Sequence, residues 1–134
     1  MSLVLDTNTL IWLLKDSDRL GREAERRIDE ALRSSRVLVS ATSFWEVAVL
    51  VTKGRIALTV PVDQWRVEAL QLGIEELSLD GEIAIESVAL PDLHADPADR
   101  FIVATALKLG VPLVTSDARL LAWKGPLVCI DARV

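Results

Sequence analysis

The chain has 134 residues with one cysteine and a formal net charge of −5, a length that suits one domain burying about two-thirds of the surface exposed on unfolding. The acidic balance argues against a protein that holds nucleic acid on a broad basic face, and the single cysteine excludes an internal disulfide. No apolar run approaches the ~20 residues of a membrane span, and the first residues lack the basic region of a secretory signal, so we expect a cytoplasmic protein without a membrane partner.

Short apolar runs alternate with helical patterns along the whole chain. We predict strands at 3–5, 37–39, 74–79, 113–115 and 127–130, and helices at 7–15, 22–34, 43–51, 61–73, 81–89, 97–109 and 118–123. Strands that alternate with helices are typical of a parallel sheet covered on both faces. The prediction is therefore a single α/β domain over residues 1–134, a three-layer α/β/α sandwich with a mostly parallel central sheet.

Four acidic residues stand where an apolar run gives way to the start of a helix: Asp6, Glu46, Asp99 and Asp117. Because the carboxyl ends of parallel strands lie along one edge of a sheet, we expect these acids to converge although they are far apart in sequence. Converging carboxylates are the ligands that a hard divalent cation prefers.

Helix capping explains each acid taken singly. Ser43 and Glu46 have the spacing of a capping box, and Asp96 precedes Pro97 as an N-cap residue precedes a first-turn proline. Asp6 and Asp117 also stand at positions suited to a cap. Four acids at one edge, however, repel one another and destabilise the fold unless a cation compensates, so the set indicates a metal site.

The available ligand types favour Mg²⁺ or Mn²⁺. There is no cysteine cluster and one histidine, His94, which we interpret as a loop residue near the Asp99 turn rather than as a ligand, so a zinc site is disfavoured. A substrate that carries phosphate also requires local cations. The arginines available for that role are Arg22, Arg26, Arg27, Arg33, Arg36, Arg55 and Arg100. Each of them, taken singly, is expected to be a solvated surface charge.

Four segments carry a resemblance to a known family. They are Leu-Val-Leu-Asp6-Thr-Asn-Thr-Leu, Ser-Phe-Trp-Glu46, His94-Ala-Asp-Pro-Ala-Asp99-Arg-Phe-Ile-Val-Ala-Thr-Ala and Val-Thr115-Ser-Asp117. In this order and spacing they resemble the PIN domain, most closely the VapC-type toxin ribonucleases. The resemblance implies a metal-dependent endoribonuclease whose catalytic and metal-binding acids are Asp6, Glu46, Asp99 and Asp117, with Thr115 as a polar companion in the site.

The same resemblance implies partners. We expect an RNA substrate, a cognate antitoxin and a second copy of the chain. A segment of the antitoxin is expected to lie in a groove and to place an arginine against the acids, and DNA is expected to be contacted only through the antitoxin. Core packing is the interpretation that we favour for Trp12, Trp45 and Trp65, whereas Trp123 is predicted to be partly exposed.

Two other functions stay open at this point. A phosphatase of the haloacid dehalogenase type also begins with an aspartate after a strand, but it requires a second aspartate two residues later, where this chain has Asn8. The second alternative is a protein-binding module without catalysis that keeps its acids for folding or partner contact.

Overall fold

The computed structural model describes residues 1–134 and contains five strands and seven helices. In chain order they are β1 (Leu3–Leu5), α1 (Thr7–Leu14), α2 (Arg22–Ser34), β2 (Val37–Ser40), α3 (Ala41–Thr52), α4 (Val62–Gln71), β3 (Ile74–Leu77), α5 (Gly81–Val88), α6 (Pro97–Leu109), β4 (Leu113–Thr115), α7 (Ala118–Ala122) and β5 (Cys129–Asp131). None of the helices is long and apolar enough to cross a membrane.

The strands form one sheet in the order β3-β2-β1-β4-β5, and every neighbouring pair is parallel. Strand β1 is central, with Leu5 in register with Val39 of β2 on one side and Val114 of β4 on the other. The chain leaves β1 toward one side of the sheet and later returns to the other, so the order reverses between β1 and β4. Ligands of open α/β sheets bind outside the carboxyl ends of the strands at such a reversal point.

Alternation along the strands divides the core between the two faces of the sheet. Leu3 and Leu5 belong to a cluster that includes residues of α1, α2, α3 and α4, whereas Val4 and Leu38 belong to a second cluster with residues of α6 and α7. Helix α5 packs on α6. These layers confirm the predicted α/β/α sandwich.

Helix α3 begins two residues before its predicted start. Its N-cap is Ser40, whose side chain accepts a hydrogen bond from the backbone of Thr42, so the predicted capping box of Ser43 and Glu46 is wrong. Ser43 is instead buried within the helix. The predicted N-cap of α6 is confirmed, because the Asp96 side chain accepts from the backbone N–H of Ala98.

The tryptophans divide differently from the prediction. Trp65 is in the core and Trp123 is partly exposed, as expected, and Trp12 is half-buried against the first cluster. Trp45 is 63% exposed, which contradicts the expectation of core packing.

Candidate active site

The four acids all lie at the carboxyl edge of the sheet, beside the point where the strand order reverses. Asp6 follows the last residue of β1, and Asp117 follows β4 by two residues. Glu46 is in α3, the helix after β2, and Asp99 is in the first turn of α6. Two strands and two helices therefore bring together acids that are up to 111 positions apart in the sequence, from Asp6 to Asp117.

Asp6 is the most deeply buried of the four, with 6% of its surface exposed. One carboxylate oxygen accepts a hydrogen bond from the backbone N–H of Thr9 at 2.9 Å and thereby caps α1. The other accepts from the Thr115 hydroxyl at 2.5 Å. Burial raises the pKa of Asp6 above its ordinary value, although the hydrogen bonds from Thr115 and Thr9 oppose that rise.

Glu46 is held by a hydroxyl in the same way. The Thr7 hydroxyl donates to one of its carboxylate oxygens at 2.5 Å, and the Ser43 hydroxyl oxygen lies 3.0 Å from that of Thr7. Partial burial raises the pKa of Glu46 to about 7, and the negative charges of Asp99 and Asp6 add to the rise. We call Asp6 and Glu46 the inner carboxylates.

Asp99 connects the inner carboxylates to the outer part of the site. Its charge raises the pKa of both Asp6 and Glu46, so the three acids are close enough to interact. Its Oδ2 lies 2.6 Å from the Nε2 of His94. Burial raises the pKa of Asp99 above its ordinary value, against the lowering effect of the His94 hydrogen bond.

The loop that carries His94 is fastened to α6 by Arg100. The Arg100 guanidinium donates to the backbone carbonyls of Ser87, Leu90 and Leu93 at 2.9 to 3.2 Å. Because Arg100 directly follows Asp99, one stretch of helix positions both the acid and the histidine beside it.

Asp117 has a different environment, because it faces an arginine. The Arg119 guanidinium donates to both Asp117 oxygens, at 3.2 Å from Nε and at 2.9 Å from Nη2. Burial, the largest single influence, raises the pKa of Asp117, but the bonds from the Arg119 side chain and backbone together bring it below its ordinary value. We call Asp117 and Arg119 the outer ion pair.

The closest set of potential ligand atoms is formed by His94, Asp99 and Asp117, whose ligand atoms lie within 4.8 Å of one another. Asp6 and Glu46 are outside that set, with their oxygens turned to Thr115 and Thr7. The carboxylates of the site fit a hard divalent cation, whereas the imidazole of His94 is a ligand type better suited to transition metals. Burial is the main cause of the raised pKa values of Asp6, Glu46 and Asp99, and of these three acids only Asp99 has an arginine within ion-pair distance.

Sequence reasoning missed three residues that contact the acids. Thr7 holds Glu46, His94 contacts Asp99, and Arg119 contacts Asp117. The sequence signal that could have identified them is their nearness to an acid along the chain, since Thr7 directly follows Asp6 and Arg119 is two residues after Asp117. His94 lies in a loop near Asp99, as the sequence predicts, and its imidazole also contacts that acid.

An apolar groove of about 680 Å³ adjoins the acids between α3 and the start of α6. Trp45, Val49 and Phe101 are among the apolar residues that line it. Its charged lining residues are Glu46 and Asp96 on the side of the acids, with Lys53 and Arg55 from the end of α3 and the turn that follows.

Comparison with known proteins agrees with this architecture. The PIN domain family model matches residues 3–124. Ribonuclease VapC22 of Mycobacterium tuberculosis is 34% identical over 126 residues, which are 93% of this chain and 94% of that protein. The structure of VapBC2 from Rickettsia felis, bound to a DNA fragment from its promoter, matches with a TM-score of 0.72 at 15% identity, over 97% of this chain and 98% of that one. VapBC-5 from Mycobacterium tuberculosis, described as a member of the VapBC family of toxin-antitoxin systems, matches with a TM-score of 0.60 at 25% identity, over 99% and 98% of the two chains.

Proposed function

Because the chain belongs to the PIN domain family, as a VapC-type member, we propose that it is an endoribonuclease and the toxin of a toxin–antitoxin pair. It hydrolyses phosphodiester bonds of RNA and depends on Mg²⁺ or Mn²⁺. One observation carries this proposal above the others: the acids sit at the point where the strand order reverses, and hydroxyl groups hold two of them without neutralising their charge.

Asp6, Glu46, Asp99 and Asp117 are the residues that would hold the metal. A divalent cation bound there lowers the pKa of water and offsets the negative charge of the phosphate under attack. Thr115 fixes the Oδ2 of Asp6, and Thr7 fixes the Oε1 of Glu46. The Oε2 of Glu46 has no hydrogen-bond partner in the protein and is available to the cation or to a water molecule.

The positions of the threonines have a further effect on the inner carboxylates. A hydroxyl donor orients a carboxylate and lowers its pKa in part, but it brings no positive charge into the site. The protein therefore fixes the positions of Asp6 and Glu46 before the cation arrives but supplies no positive charge to them, and a bound cation would favour their ionised forms.

The first test is RNA cleavage by the purified wild-type chain with a chelator, followed by re-addition of metal. We expect EDTA to abolish cleavage and Mg²⁺ or Mn²⁺ to restore it. Cleavage that persists in EDTA would contradict the metal dependence. An absence of cleavage in every metal would favour the protein-binding module, and turnover of a small phosphate monoester with no RNA cleavage would favour a phosphatase.

We propose that an antitoxin segment occupies the groove. Trp45 and Val49 offer an apolar wall for an amphipathic segment, and Glu46 and Asp96 attract an arginine of that segment toward the acids. Lys53 and Arg55 favour acidic residues elsewhere in the segment. DNA would then be contacted only through the antitoxin.

The proposal also includes the domain organisation and a homodimer. One domain over residues 1–134 is supported by β5, which lies beyond the family match yet pairs with β4 in the sheet. A homodimer is supported by exposed apolar side chains outside the groove, such as Ile85 and Val88 on α5. Both of these are surface residues that a second copy would bury.

A further inference from the structure

The acidic site must accept a polyanion although the chain carries a net charge of −5. The arginines that the sequence offers for this task are partly committed elsewhere. Arg26 pairs with Glu23 and Glu30 on α2, and Arg36 pairs with Glu75 on the neighbouring strand. Arg100 is used to fasten the His94 loop.

Arg119 lies where such a cation is needed. Its Nη2 is 2.9 Å from an oxygen of Asp117 and 3.6 Å from an oxygen of Asp99. It is the one lysine or arginine that forms an ion pair with any of the four site acids. Its side chain is 60% exposed, so the guanidinium stands at the mouth of the site and is open to solvent.

A second ion pair in the same chain shows what the local motif does by itself. Arg133 donates to Asp131 from Nε at 3.1 Å and from Nη2 at 3.2 Å, again two residues apart, and its side chain is 53% exposed. Arg119 and Asp117 form nearly the same contacts. The pairing is therefore a local feature in both places, and what distinguishes Arg119 is the contact with Asp99.

We propose that Arg119 is a phosphate-binding residue, whose guanidinium contacts the non-bridging oxygens of an RNA phosphate at the acidic site. This inference rests on the proposed function and adds to the four site acids a basic residue that binds the substrate. A planar guanidinium presents two parallel donors to a phosphate, which lysine cannot do.

The exchange of partners is energetically easy. An exposed ion pair contributes little to stability because water screens it, so Arg119 loses little when it turns from Asp117 to a phosphate. The positive charge of Arg119 at the mouth of the site also offsets the repulsion between the incoming phosphate and the acids beneath it.

The test measures RNA binding apart from chemistry. In an Asp6→Asn background that binds but does not cleave, a fluorescent single-stranded RNA is titrated against Arg119→Gln, Arg119→Lys and the matched control Arg133→Gln. For Arg119→Gln we expect affinity to fall about tenfold and the slope of log affinity against log salt to shrink by about 0.7, the value for one phosphate contact on a single strand. Arg133→Gln should match its parent, and Arg119→Lys should keep the salt slope.

Cleavage and metal binding complete the test in the otherwise wild-type chain. We expect Arg119→Gln to lower kcat/KM about 10²-fold, Arg119→Lys to recover part of that loss, and Arg133→Gln to stay within about twofold of wild type. Titration calorimetry without RNA should show that Arg119→Gln binds Mn²⁺ at least as tightly as wild type, because a neighbouring cation has been removed.

Three results would overturn the inference. In the first, Arg119→Gln binds and cleaves RNA as Arg133→Gln does. In the second, Arg119→Gln cleaves RNA faster than wild type. In the third, Arg119→Gln loses RNA binding and Mn²⁺ affinity in parallel. If the wild-type chain itself neither binds nor cleaves RNA, the proposed function fails together with this inference. If the wild type cleaves and the two arginine variants are alike, this inference alone fails.

Discussion

The inner carboxylates and the outer ion pair lie at the same edge of the sheet, but the protein holds them by opposite means. Asp6 and Glu46 are held by threonine hydroxyls and have raised pKa values, whereas Asp117 is held by Arg119 and has a lowered one. A hydroxyl fixes the position of a carboxylate and leaves its charge uncompensated. An arginine compensates the charge. Under the proposed function, the inner carboxylates are the acids whose charge is compensated only when a cation binds.

The largest effect is expected from removing one charge in each region. Asp6→Asn should lower kcat/KM by more than about 10³-fold. Asp117→Asn should lower it less, by about 10- to 100-fold, because Asp117 would act on the metal through a water molecule and Arg119 already compensates its charge. Asparagine at position 6 retains the helix cap, so the fold should persist. RNA cleavage and thermal unfolding of both variants check this. Equal losses, or a greater loss at Asp117, would contradict the division.

A smaller effect is expected from removing a hydroxyl beside an inner carboxylate. Thr115→Val leaves Asp6 without the 2.5 Å bond, and we expect a 10- to 100-fold loss of activity and of metal affinity. The control is Thr115→Ser, which keeps the hydroxyl and should retain most of both. The pKa of Asp6 should rise further in Thr115→Val, so its activity profile should move to higher pH. Valine and serine variants of equal activity would show that the hydroxyl does not matter.

The smallest effects concern stability and have opposite signs in the two regions. Glu46 has a folded pKa of about 7, above the ordinary 4.5. The folded chain therefore holds a proton more tightly than the unfolded chain, and rising pH removes stability between these values. Glu46→Gln in EDTA should be more stable than wild type at pH 8, by about 1 kcal/mol after allowance for solvent screening. The difference should vanish near pH 4.

For Asp117 the sign reverses. Its lowered folded pKa contributes stability at neutral pH, and that stability is lost as pH falls through the ordinary range of an aspartate. Asp117→Asn should thus be less stable than wild type at pH 8, by only a few tenths of a kcal/mol because the pair with Arg119 is exposed. Urea unfolding at pH 4 and pH 8 measures both variants. The same sign for Glu46→Gln and Asp117→Asn would refute the contrast between the two regions.

The sequence predicted the layers and the sheet because its periodic patterns are local. Strand β4 lies at its predicted residues, and β3 forms in spite of two glutamates because it is an edge strand whose Glu75 and Glu76 pair with arginines. Capping was less predictable, since Ser40 and Ser43 are both suitable serines three residues apart. The choice between them depends on where β2 ends, which the sheet decides.

The sequence analysis placed Thr115 in the site through the family resemblance, but which side chain contacts which acid was beyond it for a related reason. Thr115 touches Asp6 across 109 positions and Thr7 touches Glu46 across 39, so only the folded sheet brings them together. Trp45 was misassigned because an aromatic residue on an apolar helix predicts burial, and the sequence does not indicate which side of α3 remains uncovered.

Asp6 is at once the cap of α1 and a member of the site, through different oxygens of one carboxylate. A bacterium, or a laboratory strain, that is harmed by this protein can therefore escape by two genetically distinct routes at one codon. A change to asparagine should leave a folded chain that still binds the proposed antitoxin, whereas a change to a residue that cannot cap should also cost about 1 kcal/mol of stability and lower the amount of folded protein. Survivors sequenced at this position would thus differ in whether they still titrate the antitoxin.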